Sequence, residues 1–477
     1  MAKVPPPIRI RDTYANIVAN YNPTLYEGVT AFAIDKNAEM YAVNKKWILN
    51  TDPTSLNASG IYRSDSLPPY PALDLNYADK MALFGPETYA RAGTDTYTDI
   101  VGASKTAAID TPAFDRLSKS AVNNALVPRG LKTGSSGQCQ IAAVANILPA
   151  SGFTVVLDVD APSAFSGNGP IMSLSSGSVT NRVQIDRSST FNALFVVQSA
   201  GSVVVNNQNG TQTWYGGPRR LVLSCAANAF HFADDARWNA SVTSGSLPTG
   251  LTRLDIGWSS LSSTYFTGWV RRLRILPVAL SLTDTVNLAA GDTPVACWGD
   301  SLTAGTGASG TAGQYTEVLR MSRYPHSGVH NGGVGGETST QIKTRALADT
   351  IRNGWTTVIW AGRNNYSDLT TVVADVQAIV ANLTHSRFLV MSVINRADGT
   401  ENSGSAAYNQ IVACNAALAA AFPGNYLDIR SLIVSASGGS NDAPNSSWTS
   451  DGLHLNNTGY GYVASQVSAW LANRRWF

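Results

Sequence analysis

Apolar and polar residues alternate through the middle of the chain. In 153–160 every second residue is apolar, which is the pattern of a strand with one buried face. Turn-forming clusters, such as NNQNGT at 206–211 and SGSLPTG at 244–250, separate further apolar runs. The strands predicted from those runs are 182–186, 193–198, 202–205, 221–226, 254–257 and 269–276. Many short strands with almost no helical pattern predict a β-sandwich over 135–285.

The pattern changes at about residue 280, where apolar strands begin to alternate with helical segments. The predicted strands are 295–298, 329–331, 357–360, 388–393 and 426–429. The helices are predicted near 313–322, 338–351, 369–383, 404–422 and 458–473, and the third has apolar residues at every third or fourth position. This alternation predicts an α/β domain with a parallel, doubly wound sheet over 290–477. Such sheets place their sites at the carboxyl ends of the strands.

Charge and hydropathy indicate which partners are not expected. The net charge is only +2 and 14% of the residues are charged, so neither nucleic acid nor an anionic membrane is an expected partner. The first residues, MAKVPPPIRIRD, contain no apolar segment, and no window approaches the roughly 18 apolar residues of a membrane span. We therefore expect no signal peptide and no membrane insertion.

The cysteines indicate no metal site. Cys139, Cys225, Cys297 and Cys414 are far apart in the chain, and none has a histidine nearby at metal-ligand spacing. Cys297 lies in an apolar run and Cys414 in a helical pattern, so both are predicted to be buried free thiols.

Four short segments stand out because each follows a predicted strand or precedes the last predicted helix. They are Gly299-Asp300-Ser301-Leu302, then Asn331-Gly332-Gly333-Val334-Gly335-Gly336-Glu337-Thr338, then Gly362-Arg363-Asn364-Asn365, and finally Asp451-Gly452-Leu453-His454. A single G-D-S is common turn chemistry, and the last segment alone is typical of a loop that enters a helix. All four in this order, at these strand ends, favour an enzyme.

The four segments together supply the groups that acyl transfer needs. Ser301 is the candidate nucleophile, His454 the general base, and Asp451 the carboxylate that orients the imidazole. The backbone N–H groups of Ser301 and Gly336 and the side-chain amide of Asn364 are candidate donors to an oxyanion.

These segments resemble the blocks of the SGNH/GDSL hydrolase family, and the resemblance covers roughly 290–477. It implies a three-layer α/β fold with a flavodoxin-like parallel sheet and a serine esterase without metal or organic cofactor. It also implies the same roles for Ser301, Gly336, Asn364, Asp451 and His454. One departure is visible, because the family usually has Asp where this chain has Asn365. That departure puts the geometry of the loop in doubt more than the chemistry.

Two further residues are candidates for substrate binding. Arg363 lies inside the third block, where it can contact a polar substrate or pair with a surface carboxylate. His330, like His326, lies near the second block. The remaining histidines, His231 and His385, are expected to be ordinary surface or core residues.

The first part of the chain contains a short motif within 9–48, with Asn22-Pro23, Leu25, Glu27-Gly28, Ala31-Phe32-Ala33, Asp35 and Trp47. It resembles the N-terminal element of bacteriophage tail fibres and tailspikes, in which a polar helix precedes a strand and a tryptophan. We therefore predict a virion-attachment element over 1–60 and a linker over 61–134. The resemblance implies location in the phage tail, phage tail or baseplate proteins as partners, and a homotrimer, although no heptad run or β-helix repeat would enforce one.

The predicted sandwich, 135–285, resembles concanavalin-like (laminin-G-like) modules, which bind glycans or serve as spacers. Trp214, Tyr215 and Trp258 are aromatic residues that either stack on sugars or belong to the core. The combined prediction is a phage tail fibre or tailspike esterase that removes O-acetyl groups from acetylated polysaccharide on the host surface. Two alternatives stay open: an esterase or lipase that acts on lipid or small esters, and a catalytically inert adhesin.

Overall fold

The computed structural model describes residues 148–474 and 476, apart from 162–168, 189–191, 209–216, 260, 262–263, 292 and 323–327. Within 1–147 it describes the backbone of short strands alone. In chain order these are β1 (Ile10–Asp12), β2 (Thr30–Ala33), β3 (Ala38–Val43), β4 (Lys46–Leu49), β5 (Leu73–Asn76), β6 (Gly93–Thr98), β7 (Ser104–Asp110), β8 (Ala113–Phe114), β9 (Ser118–Lys119), β10 (Leu126–Val127), β11 (Leu131–Thr133) and β12 (Gln138–Ala142).

Two antiparallel sheets form the middle of the chain. Their remaining strands are β13 (Phe153–Ala161), β14 (Gly169–Ser175), β15 (Arg182–Arg187), β16 (Ala193–Ser199), β17 (Ser202–Gln208), β18 (Gly217–Ala226), β19 (Ala229–Asp234), β20 (Trp238–Val242), β21 (Arg253–Ile256) and β22 (Gly268–Leu276). One sheet has the order β20-β19-β18-β13-β22-β11-β8, with β5 also paired to β22, and the other has the order β17-β16-β15-β14-β21-β12-β7-β6. Alternate residues from both sheets, such as Leu157 and Phe195, meet in one apolar core.

All the strands predicted for the middle of the chain are present, and β12, β14, β19 and β20 were missed. The turn between β18 and β19 explains one of these errors. It contains only Ala227 and Asn228, and Asn228 adopts a positive φ of 59°, so the usual glycine of a tight hairpin is absent. Strands β5, β7, β8 and β11 lie within 61–134 and pair with the sheets of the middle region. The polar helix of the predicted attachment element lies outside the described residues.

The last part of the chain is an α/β domain with a parallel sheet of order β24-β23-β25-β26-β27. Its strands are β23 (Val295–Gly299), β24 (Val329–Gly333), β25 (Thr356–Trp360), β26 (Phe388–Met391) and β27 (Tyr426–Leu427). Its helices are α1 (Leu282–Ala290), α2 (Ser301–Ala304), α3 (Tyr315–Ser322), α4 (Ser339–Ala348), α5 (Leu369–Ala381), α6 (Ala406–Ala421), α7 (Ile429–Ser437) and α8 (Asn457–Asn473), and short 3₁₀ turns span Thr311–Gly313 and Ser446–Trp448. The predicted parallel, doubly wound sheet is confirmed.

Helices α1, α2 and α7 were missed, although two of them carry a start signal. Before α1, the Ser281 side chain accepts a hydrogen bond from the Asp284 backbone N–H at 3.1 Å. Before α7, the Asp428 side chain accepts from the Ser431 N–H at 3.2 Å, in a segment that was predicted to be strand through residue 429. The short apolar run there gave no clear period.

The sandwich and the α/β domain share a buried contact. Val156 and Val222, which lie on the outer face of the sandwich, belong to the same apolar cluster as residues of α1 and the parallel sheet. Arg320 on α3 pairs with Asp235 of the sandwich at 3.1 Å and with Glu317 at 2.8 Å. Because buried charges need partners, these ion pairs fix how α3 lies against the sandwich.

Candidate active site

Ser301 lies at the carboxyl end of β23, where a tight turn leads into α2. The turn depends on Gly299, because a side chain there would come within 2.1 Å of Thr303 Oγ1 and 2.5 Å of the Trp360 carbonyl oxygen. The Asp300 carboxylate accepts the Leu302 N–H at 3.0 Å and caps the helix. Burial raises the pKa of the Asp300 carboxyl to about 6, against the opposing effect of its hydrogen bonds and of Arg363.

His454 and Asp451 lie on one loop that ends just before α8. Nδ1 of the His454 ring is 2.6 Å from Asp451 Oδ2, and the backbone N–H groups of His454 and Leu453 donate to Asp451 Oδ1 at 2.8 Å and 3.0 Å. Partial burial raises the pKa of the Asp451 carboxyl, but the hydrogen bonds from the ring and the backbone outweigh it and lower the pKa to about 2. Asp451 is therefore ionised at every pH well above 2, which includes the neutral range in which hydrolysis is assayed.

The structure brings Ser301, His454 and Asp451 into one chain of hydrogen bonds. His454 Nε2 lies 2.9 Å from Ser301 Oγ, across 153 residues of sequence. The imidazole tautomer with its proton on Nδ1 satisfies both contacts, since Nδ1 then donates to Asp451 and Nε2 accepts from the Ser301 hydroxyl. The Ser301 side chain is thus aligned to lose its proton to His454.

The candidate oxyanion donors lie around Ser301 on three strand ends. The N–H of Ser301 is at the first position of α2, where a helix offers no internal acceptor. The loop after β24 passes close to Ser301, because a Cβ placed on Gly335 would lie 3.9 Å from Ser301 Cβ, and Gly336 adopts a φ of +79°. Asn364 is exposed beside this loop, and its Nδ2 donates to the Glu337 carbonyl oxygen at 2.8 Å.

This arrangement supplies the groups that acyl transfer needs, and one family model matches the same part of the chain. Residues 297–462 match the model described as "GDSL-like Lipase/Acylhydrolase family". The C-terminal domain is a GDSL-like lipase/acylhydrolase domain. A search of curated proteins finds no match.

Several solved structures are similar to parts of the chain. A G-D-S-L family lipolytic protein from Desulfitobacterium hafniense is 19% identical, with a TM-score of 0.32 over 38% of this chain and 99% of its own. A lipase/acylhydrolase from Enterococcus faecalis is 16% identical, with a TM-score of 0.33 over 38% of this chain and 96% of its own. Domain 4 of a Geobacillus stearothermophilus arabinanase is 13% identical, with a TM-score of 0.32 over 46% of this chain and 98% of its own.

Asn365, where the resemblance breaks, supports the loop of the GDSL-like domain. Its Oδ1 accepts the backbone N–H of Ser339 at 3.0 Å, at the start of α4, and its Nδ2 donates to Ser339 Oγ at 3.0 Å. An amide therefore satisfies both neighbours at this position, and the loop geometry does not require a carboxylate.

The two residues predicted to contact substrate lie elsewhere. Arg363 is only 7% exposed, and its Nη2 donates to the buried carboxylate of Glu401 at 2.8 Å. His330 faces the sandwich: its Nδ1 lies 3.3 Å from the Ala236 carbonyl oxygen, and its ring packs edge-on against Trp298 at 5.4 Å. Burial holds the pKa of His330 well below its usual value. These contacts match the alternative of a carboxylate pair for Arg363 and give His330 a packing role beside the sandwich.

Sequence reasoning missed Arg345 and Ala397, and it gave no role to Glu337 and Gly452, which lie inside the second and fourth segments. Glu337 and Arg345 form an ion pair behind the oxyanion loop, with 2.5 Å between Nη2 and Oε2. On the opposite side, the Ala397 N–H donates to the Gly452 carbonyl oxygen at 2.6 Å and braces the loop of Asp451. Arg345 and Ala397 stand at no spacing that signals chemistry. Only the length of α4 and the position of the strand ends bring them to the site.

The remaining predictions concern cysteines, metals, membranes and aromatic residues. Cys297 and Cys414 are buried free thiols, as predicted. Within the described part of the chain, no group of three or more potential ligands could hold a metal ion, and no helix is long and apolar enough to cross a membrane. The half-buried Trp258 has the Arg253 guanidinium 5.6 Å from its ring centroid. The other two candidate sugar-binding aromatics, at 214 and 215, lie outside the described residues.

Proposed function

We propose that this protein is a serine esterase that removes O-acetyl groups from polysaccharide on the surface of a bacterial host. The observation that carries the proposal is a chain of two hydrogen bonds. Ser301 Oγ lies 2.9 Å from His454 Nε2, and His454 Nδ1 lies 2.6 Å from Asp451 Oδ2. Nucleophile, base and orienting carboxylate are thus within contact of one another, beside donors for an oxyanion.

In the first half of the reaction, the Ser301 oxygen attacks the acetyl carbonyl carbon while His454 Nε2 takes the hydroxyl proton. The carbonyl oxygen becomes an oxyanion, which accepts hydrogen bonds from the N–H groups of Ser301 and Gly336 and from the Asn364 amide. The tetrahedral intermediate then collapses. The C–O bond to the sugar breaks, and His454 gives its proton to the departing sugar hydroxyl, which leaves an acetyl group on Ser301.

In the second half, water replaces the sugar. His454 takes a proton from the water as its oxygen attacks the acetyl carbon, and the same donors stabilise the second oxyanion. Collapse releases acetate and returns the proton from His454 to the Ser301 oxygen. Throughout, the ionised Asp451 stabilises the imidazolium form of His454, with its pKa of about 2 far below the working range.

The polar rim of the site favours a carbohydrate over a long acyl chain. Asn364 and Asp398 are exposed, and Glu337 and Arg396 are partly exposed on loops beside Ser301 and His454. The large exposed apolar side chains of the described residues are Val179, Val203, Tyr265, Val334, Leu347, Leu369 and Val412. Of these, only Val334 belongs to a loop next to the nucleophile, which is too little apolar surface to hold a lipid chain.

The resemblance of the first part of the chain to phage tail proteins supports a place for this activity. In this proposal residues 1–60 attach the protein to other phage tail or baseplate proteins, and the assembled fibre is a homotrimer that meets the host polysaccharide first. The esterase then acts at the cell surface, and the sandwich spaces or binds the glycan.

The test is acetate release from purified O-acetylated bacterial surface polysaccharides, by the full chain and by Ser301→Ala. The proposal expects release by the wild type alone. A small aryl acetate and its long-chain homologues, assayed in parallel, report on the reaction class and on acyl length.

The outcomes separate the proposal from its rivals. Cleavage of aryl acetate without release from any polysaccharide would leave an esterase with another substrate. Faster cleavage of long-chain esters would favour a lipase. No hydrolysis of any ester, together with binding to host cells, would favour the inert adhesin.

A further inference from the structure

Arg345 on α4 extends beneath the oxyanion side of the site. Its Nε lies 2.9 Å from both carboxylate oxygens of Glu337, and its Nη2 lies 2.5 Å from Glu337 Oε2. Its Nη1 donates to the Gly332 carbonyl oxygen at 2.9 Å, and its Nη2 also lies 3.3 Å from the Gly299 carbonyl oxygen. The guanidinium carbon lies 5.5 Å from the ring centroid of Trp298. One side chain therefore contacts the end of β23 at Gly299 and, at Gly332 and Glu337, two points of the connection from β24 to α4.

These two segments carry the N–H donors of Ser301 and Gly336, and Glu337 links Arg345 to the third donor, Asn364. Gly299 ends β23, two residues before the N–H of Ser301. Gly332 lies on β24, at the start of the loop that contains Gly336. Glu337 follows Gly336, and its carbonyl oxygen accepts the Asn364 amide at 2.8 Å.

The contact between Glu337 and Asn364 fixes the direction of the third donor. A side-chain amide has two N–H groups in one plane. When one donates to the Glu337 carbonyl oxygen, the plane of the Asn364 amide is set and the other N–H remains for an oxyanion. The position of Glu337 therefore controls where that N–H points, and Arg345 holds Glu337 by a two-pronged ion pair.

We infer that Arg345 is a positioning residue that holds all three oxyanion donors in register, an inference that rests on the proposed acyl transfer at Ser301. Oxyanion stabilisation depends on donors that are already in place when the charge develops, within about 0.5 Å of their productive positions. A guanidinium is suited to this task, since its five N–H groups form a rigid fork. A lysine ammonium is a point donor and cannot satisfy the same acceptors in one plane.

A merely structural role for Arg345 would have different consequences. If it only fastened α4 to the sheet, its loss would lower Tm and leave the chemistry of folded molecules unchanged. If it positions the donors, its loss weakens binding of the tetrahedral state and spares the ground state, so kcat falls while KM changes little.

The experiment compares Arg345→Lys with the wild type in the full chain, with a small aryl acetate as substrate. We expect kcat to fall by roughly 10 to 100-fold, which is less than the loss of a whole donor, with KM within about threefold. The probe of the tetrahedral state is a small alkyl boronic acid, which forms a tetrahedral adduct on a serine oxygen. Its Ki should rise by the same factor as kcat/KM falls.

A matched control is Arg352→Lys. Arg352 lies in the same domain, pairs with Asp349 and stacks over Trp355 at 5.4 Å, but bonds to neither of the two donor segments. Its replacement should lower Tm without changing kcat or the Ki of the boronic acid. Glu337→Gln provides a second variant if Arg345→Lys does not fold, and it should lower kcat and raise Ki in the same proportion.

A double variant gives the sharpest readout. If Arg345 acts through the donors, adding Arg345→Lys to Asn364→Ala should cost less than it does in the wild type, because part of what it positions is already gone. Full additivity, an unchanged Ki, or a kcat within threefold of wild type would each overturn the inference while the wild type is active. A wild type that hydrolyses no ester would instead overturn the proposed function, and this inference with it.

Discussion

The two sides of the candidate site are built in opposite ways. The acid–base side is a single loop in which Asp451 and His454 are three residues apart, and the Asp451 side chain is 53% exposed. The oxyanion side is assembled from the ends of β23, β24 and β25 around a half-buried ion pair, Glu337–Arg345. One side is set by local sequence and the other by the topology of the sheet. The difference predicts how each side responds when it is damaged.

The largest effect is expected from His454→Ala, which removes the base shared by both halves of the reaction. We expect kcat on an aryl acetate to fall by roughly 10⁴ to 10⁶-fold, with little change in Tm because the ring lies at a partly exposed loop. His231→Ala is the matched control: that ring contacts Ser241 on the sandwich, and activity should be unchanged. A residual rate within 100-fold of wild type would remove His454 from the proposed mechanism.

Asp451→Asn should have the next largest effect. The amide can no longer accept from Nδ1–H with a full charge, and its N–H₂ group favours the wrong imidazole tautomer, so a fall in kcat of roughly 10³ to 10⁴-fold is expected. The control is Asp368→Asn, since Asp368 is another exposed aspartate that caps a helix through the Thr371 N–H at 3.1 Å. Equal activity of Asp451→Asn and wild type would show that the loop alone orients His454.

On the oxyanion side, Asn364→Ala should lower kcat by roughly 10² to 10³-fold with KM little changed. The neighbouring Asn365→Asp is the control, because a carboxylate can still accept the Ser339 N–H and the substitution should affect stability at most slightly. A fall of under threefold for Asn364→Ala would remove this amide from the oxyanion hole and leave the two backbone donors.

A smaller effect is expected from Gly452→Ala, which strains the support of the acid–base loop. Gly452 adopts a φ of +82°, and a Cβ there would lie 3.0 Å from Asp398 Cβ. The strain should cost about 1–2 kcal/mol of folding free energy and lower kcat by less than tenfold. Gly438→Ala is the matched control, since Gly438 has a φ of +68° and nothing within 4 Å of its Cβ. A loss above 100-fold for Gly452→Ala alone would mean that this loop tolerates as little displacement as the oxyanion side.

The same contrast decides what could be predicted from sequence. The three-residue spacing of Asp451 and His454 and the strand before Ser301 are local features, and period and turn chemistry are enough to find them. The parallel, doubly wound character of the sheet followed from alternating strands and helices, whereas the strand order did not. Arg345 and Glu401 could not be found in this way, because an arginine on an amphipathic helix and a glutamate in a polar loop carry no local signal. Their roles exist only once the strand ends have been brought together.

Arg363 and His330 show that local sequence does not predict the direction of a side chain. Arg363 is adjacent to Asn364 in sequence, yet its side chain points into the domain and pairs with Glu401. Proximity along a loop does not say which way a side chain faces. His330 lies one residue before the second block, but the alternation along β24 and the neighbouring sandwich direct its ring to Ala236. Only the packing of the two domains decides that contact.

The smallest expected effect is on the free energy of unfolding at low pH, which reports how much the Asp451 hydrogen bonds stabilise the folded state. The pKa of Asp451 is lowered from 3.8 to about 2, so its native hydrogen bonds stabilise the folded state above about pH 4, and this contribution is lost as the pH falls toward 2. Because the side chain is half-exposed, the contribution should be well under 1 kcal/mol. Urea unfolding at pH 5, 3.5 and 2.5 should show the wild type losing slightly more stability than Asp451→Asn as the pH falls. Equal losses of stability in the two proteins would mean that the Asp451–His454 contact orients the ring for chemistry without stabilising the fold. A difference of several kcal/mol would instead show that this exposed loop contributes substantially to the stability of the domain.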